Sequence, residues 1–136
     1  MPQNDSTPRY LGQALPHDSA ERHVSGRALY IDDLPEPEGI LHIAIGGSPV
    51  ARGKLISLDV REVRSATGVV TVLTAADIPG KNDVSPAMGD DPMFASDTVE
   101  FIGQALFAVV AHSRDAARRA VRLVKTHIEE ETPSIT

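Results

Sequence analysis

Three uninterrupted apolar runs dominate the hydrophobic pattern of this chain, and each has the length of a β-strand. They lie at residues 40–45 (ILHIAI), 69–74 (VVTVLT) and 105–111 (ALFAVVA). Short apolar runs without polar alternation are typical of strands buried on both faces. We therefore predict a buried strand at 40–45, closed by Gly46 and Gly47, a central strand at 69–74, and the longest apolar strand at 105–111.

Alternating and helical patterns predict the remaining elements. Residues 55–60 (LISLDV) alternate between two sets of side chains, and residues 125–131 (KTHIEEE) favour a last strand. Asp59 is suited to cap a short helix at 60–66 that stops at Gly68. A second helix follows the N-cap residue Ser113, because small apolar residues recur there at i, i+3, i+4 and i+7: Ala117, Ala120, Val121 and Val124. This order predicts an α+β (mixed α/β) domain with a mixed sheet and two helices.

Two stretches lack a sustained period. Residues 1–23 are polar and predict a flexible arm or an extended strand; we place the arm at 1–16 and the folded domain at 17–136. Residues 75–92 are the most irregular part of the chain. An insert of that length inside a compact domain is usually functional or disordered.

Length and composition exclude several classes of protein. The chain has 136 residues and a net charge of −6, which suits one domain and argues against a general nucleic-acid binder. It has no cysteine, so disulfide scaffolds, cysteine zinc sites, iron–sulfur ligation and thiol nucleophiles are excluded. No run is long enough to span a membrane, and residues 1–16 do not resemble a secretion signal. We therefore expect a soluble, cytoplasmic protein.

Candidate chemical groups do not assemble into a recognisable site. The five histidines, at positions 17, 23, 42, 112 and 127, have no metal-ligand spacing. The pairs Asp32-Asp33 and Asp90-Asp91 favour turn capping over catalysis, since neighbouring side chains on an extended chain point apart. Gly80-Lys81 lacks the other residues of a phosphate loop, and no dinucleotide or hydrolase motif is present. We therefore assign no catalytic, cofactor-binding or metal-binding residue.

One charged helix face allows two interpretations. Arg114, Arg118 and Arg122 recur every four residues, so they share one face of the second predicted helix. That face could dock on an acidic partner surface. The alternative, which we favour, is the ordinary polar side of an amphipathic helix.

Several motifs, in order, resemble the large subunit of the molybdenum hydroxylases, the aldehyde oxidase and xanthine dehydrogenase family. The motifs are residues 24–33 (VSGRALYIDD), 48–59 (SPVARGKLISLD), 68–82 (GVVTVLTAADIPGKN), 91–95 (DPMFA) and 99–104 (VEFIGQ), followed by 109–111 and the Ala/Arg-rich helix. The likeness extends over about residues 17–133. Residues 17–20 (HDSA) and 30–35 (YIDDLP) look most like a bacterial xanthine dehydrogenase. The segment after the helix departs from the family pattern, because it has no aromatic residue before the glutamates.

The resemblance implies a fold and a role. The fold would be the α/β hammerhead, the N-terminal part of the large subunit. The parent enzyme would hydroxylate hypoxanthine and xanthine to urate at a molybdenum–molybdopterin cofactor, with electrons passing through 2Fe-2S clusters and FAD to NAD. Those cofactors would be held by other domains or subunits, so the isolated chain is expected to bind none and to be inactive. Gly103-Gln104 would be a turn that opens a strand, not a molybdopterin contact.

The implied partners are the downstream molybdopterin-binding domains and the iron–sulfur/FAD subunit of the parent enzyme. Two alternatives stay open: the equivalent domain of an aldehyde oxidase, and a stand-alone assembly module that reuses the fold, with the 105–111 run or the arginine face as its contact. A homo-oligomer is compatible with either. Neither nucleic acid nor a membrane is expected as a partner.

Overall fold

A computed structural model describes residues 12–133, and the chain divides into two compact units, Met1–Pro37 and Glu38–Thr136. In the first unit, helix α1 (Ala20–Val24) is followed by a 3₁₀ turn at Ile31–Asp33. Residues 20–23 are therefore helical and not extended as predicted. Local bonds explain this, since the Ser19 N–H donates to Nδ1 of His17 at 3.1 Å and the Arg27 guanidinium bonds Glu21 at 2.9 Å. Most of the predicted arm, residues 1–11, lies outside the described residues.

Two antiparallel sheets of three strands build the second unit. Sheet 1 has the order β1-β5-β3, with β1 (His42–Gly47), β3 (Val69–Thr74) and β5 (Ala105–Ala111). Sheet 2 has the order β4-β2-β6, with β2 (Gly53–Asp59), β4 (Thr98–Val99) and β6 (Lys125–Glu130). The predicted strands at 69–74 and 105–111 match β3 and β5 in their bounds, whereas the two-residue β4 was not predicted. The prediction that 69–74 is central is wrong, because β5 lies between β1 and β3 and leaves β3 at an edge.

The predicted α+β class is confirmed, but the predicted mixed sheet is wrong. Every strand pair in the described residues is antiparallel. Alternation of strands and helices suggested parallel pairing, because a helix commonly returns the chain to the same sheet. Here α2 (Arg61–Arg64) leads from β2 in sheet 2 to β3 in sheet 1, and α3 (Arg114–Val121) leads from β5 back to β6. Each helix thus connects different sheets, and no parallel pair arises.

Both helices begin close to their predicted positions. Ser113 is extended and its hydroxyl accepts the Ala116 N–H at 3.1 Å, which confirms the predicted cap of α3. Ahead of α2, a carboxylate oxygen of Asp59 accepts the Arg61 N–H at 3.0 Å. The chain after α2 turns through Gly68, whose φ of +86° lies in the left-handed region that glycine adopts without strain. α3 packs against β1 and β5 and buries its alanine face.

The hydrophobic core joins both sheets to both helices. Its largest fully buried side chains are Phe107, Leu106, Val63, Val72, Val99 and Val109. They come from α2, β3, β4 and β5, and half-buried leucines of β2 and Ile128 of β6 pack around them. A second, smaller cluster of Ala111, Ala116 and Ala117 packs against Ala44 and so joins β1 to α3.

Hydrogen bonds order the irregular stretch at 75–92 at several points. Thr74 and Asp77 cap a 3₁₀ turn at Ala75–Asp77. The Asn82 side chain bonds both backbone groups of Phe94, at 2.6 and 3.0 Å, and the Val84 N–H donates to the Asp91 carbonyl at 2.8 Å. Side-chain to backbone bonds of this kind order a loop without a helix or strand.

Candidate interaction surface

The histidines do not converge on a metal site. In the first unit the rings of His17 and His23 lie 6.4 Å apart, and the Tyr30 hydroxyl lies 3.1 Å from Nδ1 of His23. His42 is on β1 and His127 is on β6, in different sheets. Residues 12–133 contain no group of three or more histidine and acidic side chains placed to hold a metal ion.

The paired aspartates take part in turns. The Asp33 carboxylate accepts the Tyr30 N–H at 3.0 Å and so caps the 3₁₀ turn, as predicted. Asp91 holds its loop through its backbone carbonyl, and Asp90 is exposed. Neither pair assembles an acid and a base around one position.

Gly103-Gln104 forms the predicted turn before β5. Gly103 has a φ of +88°, and the Gln104 N–H donates to the Phe101 carbonyl at 3.2 Å. The Gln104 side chain is 6% exposed, and its oxygen accepts the Glu100 N–H at 2.7 Å. This buried amide therefore closes the turn from inside the protein.

A cluster of ion pairs surrounds α2. The Arg61 guanidinium bonds both carboxylate oxygens of Asp59, at 3.0 and 2.7 Å. Lys125 on β6 bonds Glu62, and Arg64 lies 3.9 Å from Asp77. Hydrogen bonding from Arg61 holds the pKa of the Asp59 carboxyl well below its ordinary range, and bonds from Thr74 lower the pKa of Asp77. All of these groups are solvent-accessible, so each ion pair contributes only modestly to stability.

Acid should destabilise the fold through these carboxylates. The pKa values of Asp59 and Asp77 are lower in the folded than in the unfolded chain. At a pH between the folded and the unfolded pKa of each group, the unfolded chain therefore binds more protons. Their stabilising effect is complete above about pH 4, the unfolded pKa, and is lost as pH falls towards the folded pKa.

We expect the Tm, measured by circular dichroism from pH 7 to pH 2, to decrease once the pH is lowered below roughly 4. Asp59→Asn should lower the Tm at neutral pH and make the acid-dependent fall shallower. Asp90→Asn, at an exposed loop position, is the control. An Asp59→Asn curve parallel to that of the unchanged chain would contradict the linkage.

The arginine face of α3 is exposed, as the favoured interpretation predicts. Arg118 and Arg122 face solvent on the side of the helix away from Ala116, Ala117 and Ala120, which are buried. This exposure agrees with the polar side of an amphipathic helix and equally with a docking face.

An apolar face of sheet 1 is exposed where the sequence predicts burial. Ile43 and Ile45 of β1 are 64% and 54% exposed, so the prediction of a buried strand at 40–45 is wrong on this face. In the sheet register they lie beside Val110 and Ala108 of β5, and Leu73 of β3 continues the same side. Val110 and Leu73 are half-buried, and Ala108 is 4% exposed. We call these five residues the outer face. The opposite side of the sheet faces α3, which buries Ala117 and Ala120.

The sequence could not have revealed this exposure. An apolar run that faces solvent has the same composition as one that faces a core, and only the position of α3 decides between them. Exposed isoleucines that adjoin half-buried apolar side chains form an apolar patch, and such a patch on a folded domain marks an interaction surface. The outer face is therefore the candidate functional surface of this domain.

Comparison with known proteins agrees with the fold and the motifs. The sequence matches the family profile described as "Aldehyde oxidase and xanthine dehydrogenase, a/b hammerhead domain" over residues 25–132. It is 36% identical over 126 residues to the xanthine dehydrogenase/oxidase of Gallus gallus, covering 93% of this chain and 9% of that protein. It is 38% identical over 125 residues to aldehyde oxidase 2 of Mus musculus, covering 92% of this chain and 9% of that protein.

A solved structure also matches. The aldehyde oxidoreductase from Desulfovibrio desulfuricans ATCC 27774 superposes with a TM-score of 0.81 and 30% identity, over 91% of this chain and 15% of that chain. This chain thus spans about a tenth of the curated relatives it matches. In the described residues, no helix combines the length and the apolar character needed to cross a membrane. The resemblance and the hammerhead fold are confirmed: the chain belongs to the aldehyde oxidase and xanthine dehydrogenase family of molybdenum hydroxylases and contains its α/β hammerhead domain.

Proposed function

We propose that this chain is a structural domain of a xanthine dehydrogenase large subunit. The parent enzyme hydroxylates hypoxanthine and xanthine to urate in the cytoplasm and passes the electrons to NAD. The role of this domain is to hold neighbouring parts of the large subunit together, and by itself it is inactive. Its partners are the molybdopterin-binding domains and the iron–sulfur/FAD subunit.

The exposed outer face is the observation that carries this proposal. Ile43 and Ile45 would each gain about 1.5–3 kcal/mol from full burial, and less in proportion to the part already covered. An isolated domain gains nothing from leaving such side chains in water. A neighbouring domain packed on the outer face would bury them together with Val110 and Leu73.

The described residues do not fit the molybdenum cofactor of the family. They include no cluster of metal-ligating side chains. The buried polar side chains are Ser48 and Gln104, and both already bond to backbone groups of this chain. Every buried side-chain nitrogen and oxygen in residues 12–133 already has a hydrogen-bond partner, so none is left for a pterin to satisfy. We therefore derive no catalytic step from this domain.

The equivalent domain of an aldehyde oxidase is the second candidate. Identity to mouse aldehyde oxidase 2 is 38%, beside 36% for the Gallus gallus protein, and the matched solved structure is an aldehyde oxidoreductase. The domain itself would have the same structural role in either parent. The stand-alone assembly module differs in kind, because its outer face would pair with a second copy.

A domain exchange tests the proposal. Residues 25–132 of this chain replace the matching segment of the Gallus gallus enzyme, and xanthine oxidation and molybdenum content are measured. We expect an assembled, active chimera. The Ile43→Lys/Ile45→Lys chimera should lose both properties, because burying two lysines at a domain contact costs several kcal/mol. Met88→Lys, which replaces a loop methionine that is 83% exposed, is the control.

Each outcome of this exchange has a meaning. An inactive unsubstituted chimera would contradict the xanthine dehydrogenase assignment, and the same exchange into mouse aldehyde oxidase 2 would test the second candidate. Full activity of the double-lysine chimera would contradict docking through the outer face. Oxidation of xanthine by the isolated chain would contradict its inactivity, whereas dimers abolished by the lysines would favour the assembly module.

A further inference from the structure

Strand β2 has an edge that is open along most of its length. On one side β6 pairs with it from Gly53 to Asp59, with a register shift at Ile56, which has no partner in β6. On the other side β4 pairs only with Gly53 and Lys54, and the Leu55 N–H donates to the Asp97 carbonyl at 2.7 Å. Within residues 12–133, no strand partner follows for Ile56 to Asp59 on that side. An unpaired strand edge is a template for a further strand.

A cavity of about 310 Å³ lies along this open edge. Its lining includes residues 55–58 of β2, residues 74–76 after β3, residues 95–96 before β4, and Leu106. Because successive side chains of a strand point to opposite faces, four consecutive residues share one cavity when it runs along the strand's edge. The cavity therefore occupies the place that β4 would fill if it were longer.

The lining suits an extended peptide. Leu106 and Ala95 form a buried apolar floor, 1% and 2% exposed, and Ile56 is 48% exposed at the rim. Ser57 and Ser96 add hydroxyl groups. Recognition by strand addition combines backbone hydrogen bonds with pockets for alternate side chains. This edge offers backbone groups without a strand partner beside one apolar cavity.

Two arginines lie at one end of this groove, each beside an aspartate. A second cavity of about 620 Å³ shares Ser57 and Leu58 with the first and extends it to Arg61 and Arg64. Arg61 forms a two-point ion pair with Asp59 through Nε and Nη2. Arg64 lies 3.9 Å from an oxygen of Asp77 that already accepts the N–H and the hydroxyl of Thr74, each at 2.8 Å. The Arg64 guanidinium therefore has donors available for a carboxylate from another segment.

We propose that the open edge of β2 receives an extended segment of the large subunit from outside this domain. The segment runs antiparallel to β2, as β4 does, and pairs with about four residues over roughly 13 Å. Its apolar side chains enter the first cavity. An acidic residue near its N-terminal end contacts Arg64, because an antiparallel strand begins at the Asp59 end of β2. Only the origin of this segment, elsewhere in the large subunit, rests on the proposed function. The Gallus gallus relative has ample chain to supply it, because this chain matches only 9% of that protein.

The groove is tested on the full chain by NMR titration with the probe Ac-Glu-Val-Thr-Val-Thr-Val-NH₂. We expect saturable amide shifts at residues 56–59, 74–76 and 95–96. Ala76→Trp, which fills the cavity from an exposed position, should abolish them, whereas Thr67→Trp, outside the groove, should not. Arg64→Glu should weaken binding about fivefold, the size of a solvent-exposed ion pair. Circular dichroism confirms that each variant is folded.

Backbone recognition separates strand addition from simple apolar binding. Two further probes carry N-methyl groups on alternate amides, one on the odd-numbered amides and the other on the even-numbered amides. Only one of these two sets of N–H groups faces β2 when the probe adds as a strand. The probe methylated on that set should lose binding, whereas the other should keep it. Equal binding of both methylated probes, or no shifts with the unmodified probe at about 5 mM, just beyond the millimolar end of the affinity scale, would overturn the groove.

The origin of the segment that binds β2 is tested with overlapping peptides that span the Gallus gallus enzyme outside its hammerhead domain. Binding of one peptide at residues 56–59, competed by the probe, supports an intrachain segment. If the probe binds and none of these peptides does, the assigned source is wrong while the groove stands. The domain exchange is independent of this result, because it probes the outer face.

Discussion

Gly46→Val should prevent stable folding of the second unit. Gly46 is buried on β1, in register with Phe107 of β5, and a Cβ atom built there would penetrate the Phe107 ring, with the ring Cδ1 only 2.8 Å away. The ring cannot retreat, because Phe107 has no exposed surface. Overpacking a tight core costs about 1–3 kcal/mol or more, and a valine directly on the ring should exceed that range. We expect loss of the cooperative urea transition monitored by circular dichroism.

Gly80→Val is the matched control for this substitution. Gly80 lies in the loop after the 3₁₀ turn, no atom lies within 4 Å of a Cβ built there, and its φ is not in the left-handed region. Its unfolding midpoint should stay close to that of the unchanged chain. A Gly46→Val protein with a normal midpoint would show that β1 does not pack against Phe107 as described.

Phe107→Ala should cost about 3–5 kcal/mol of unfolding free energy, the range for removing a buried aromatic side chain. Phe107 is the largest fully buried side chain and lies in the cluster that joins α2, α3, β3 and β5. Small domains have only about 5–15 kcal/mol of stability in total. The variant should therefore be marginal, with a urea midpoint reduced by roughly half.

Phe101→Ala is the control, since this phenylalanine is 57% exposed and its truncation should change the free energy of unfolding by no more than about 0.5 kcal/mol.

The effects of substituting Gly46 and Phe107 should also be coupled. Gly46→Ala should cost less in the Phe107→Ala background than in the unchanged chain, because the ring that it meets has been removed. Equal costs in both backgrounds would place the strain in the β1 backbone instead.

Local patterns were reliable wherever the deciding contacts are close in sequence. The β-branched run at 69–74 and the apolar run at 105–111 are strands with the predicted bounds. Ser113 caps its helix and Gly103 turns the chain before β5, since both depend on bonds within a few residues. The ordered motifs also identified the family, which the family profile confirms.

Patterns failed where the contact partner is distant. The mixed sheet was wrong because sequence order does not say whether a helix returns to the same sheet or crosses to another. The helix at Ala20–Val24 was missed because bonds from His17 and Arg27, not apolar periodicity, form it. Ile43 and Ile45 were predicted as buried because their run has the composition of a core strand.

By itself the amino-acid sequence determined the family, the α+β class, the main strands and the absence of a recognisable catalytic motif, since these follow from composition, periodicity and short-range bonding. Only the tertiary structure decided which strands share a sheet, which side of β1 faces water, and where β4 leaves β2 unpaired. Those features depend on antiparallel partners far apart in the chain, such as Gly46 and Phe107 or Gly53 and Glu130. Packing between such partners leaves no periodic signal in the residues that make the contact.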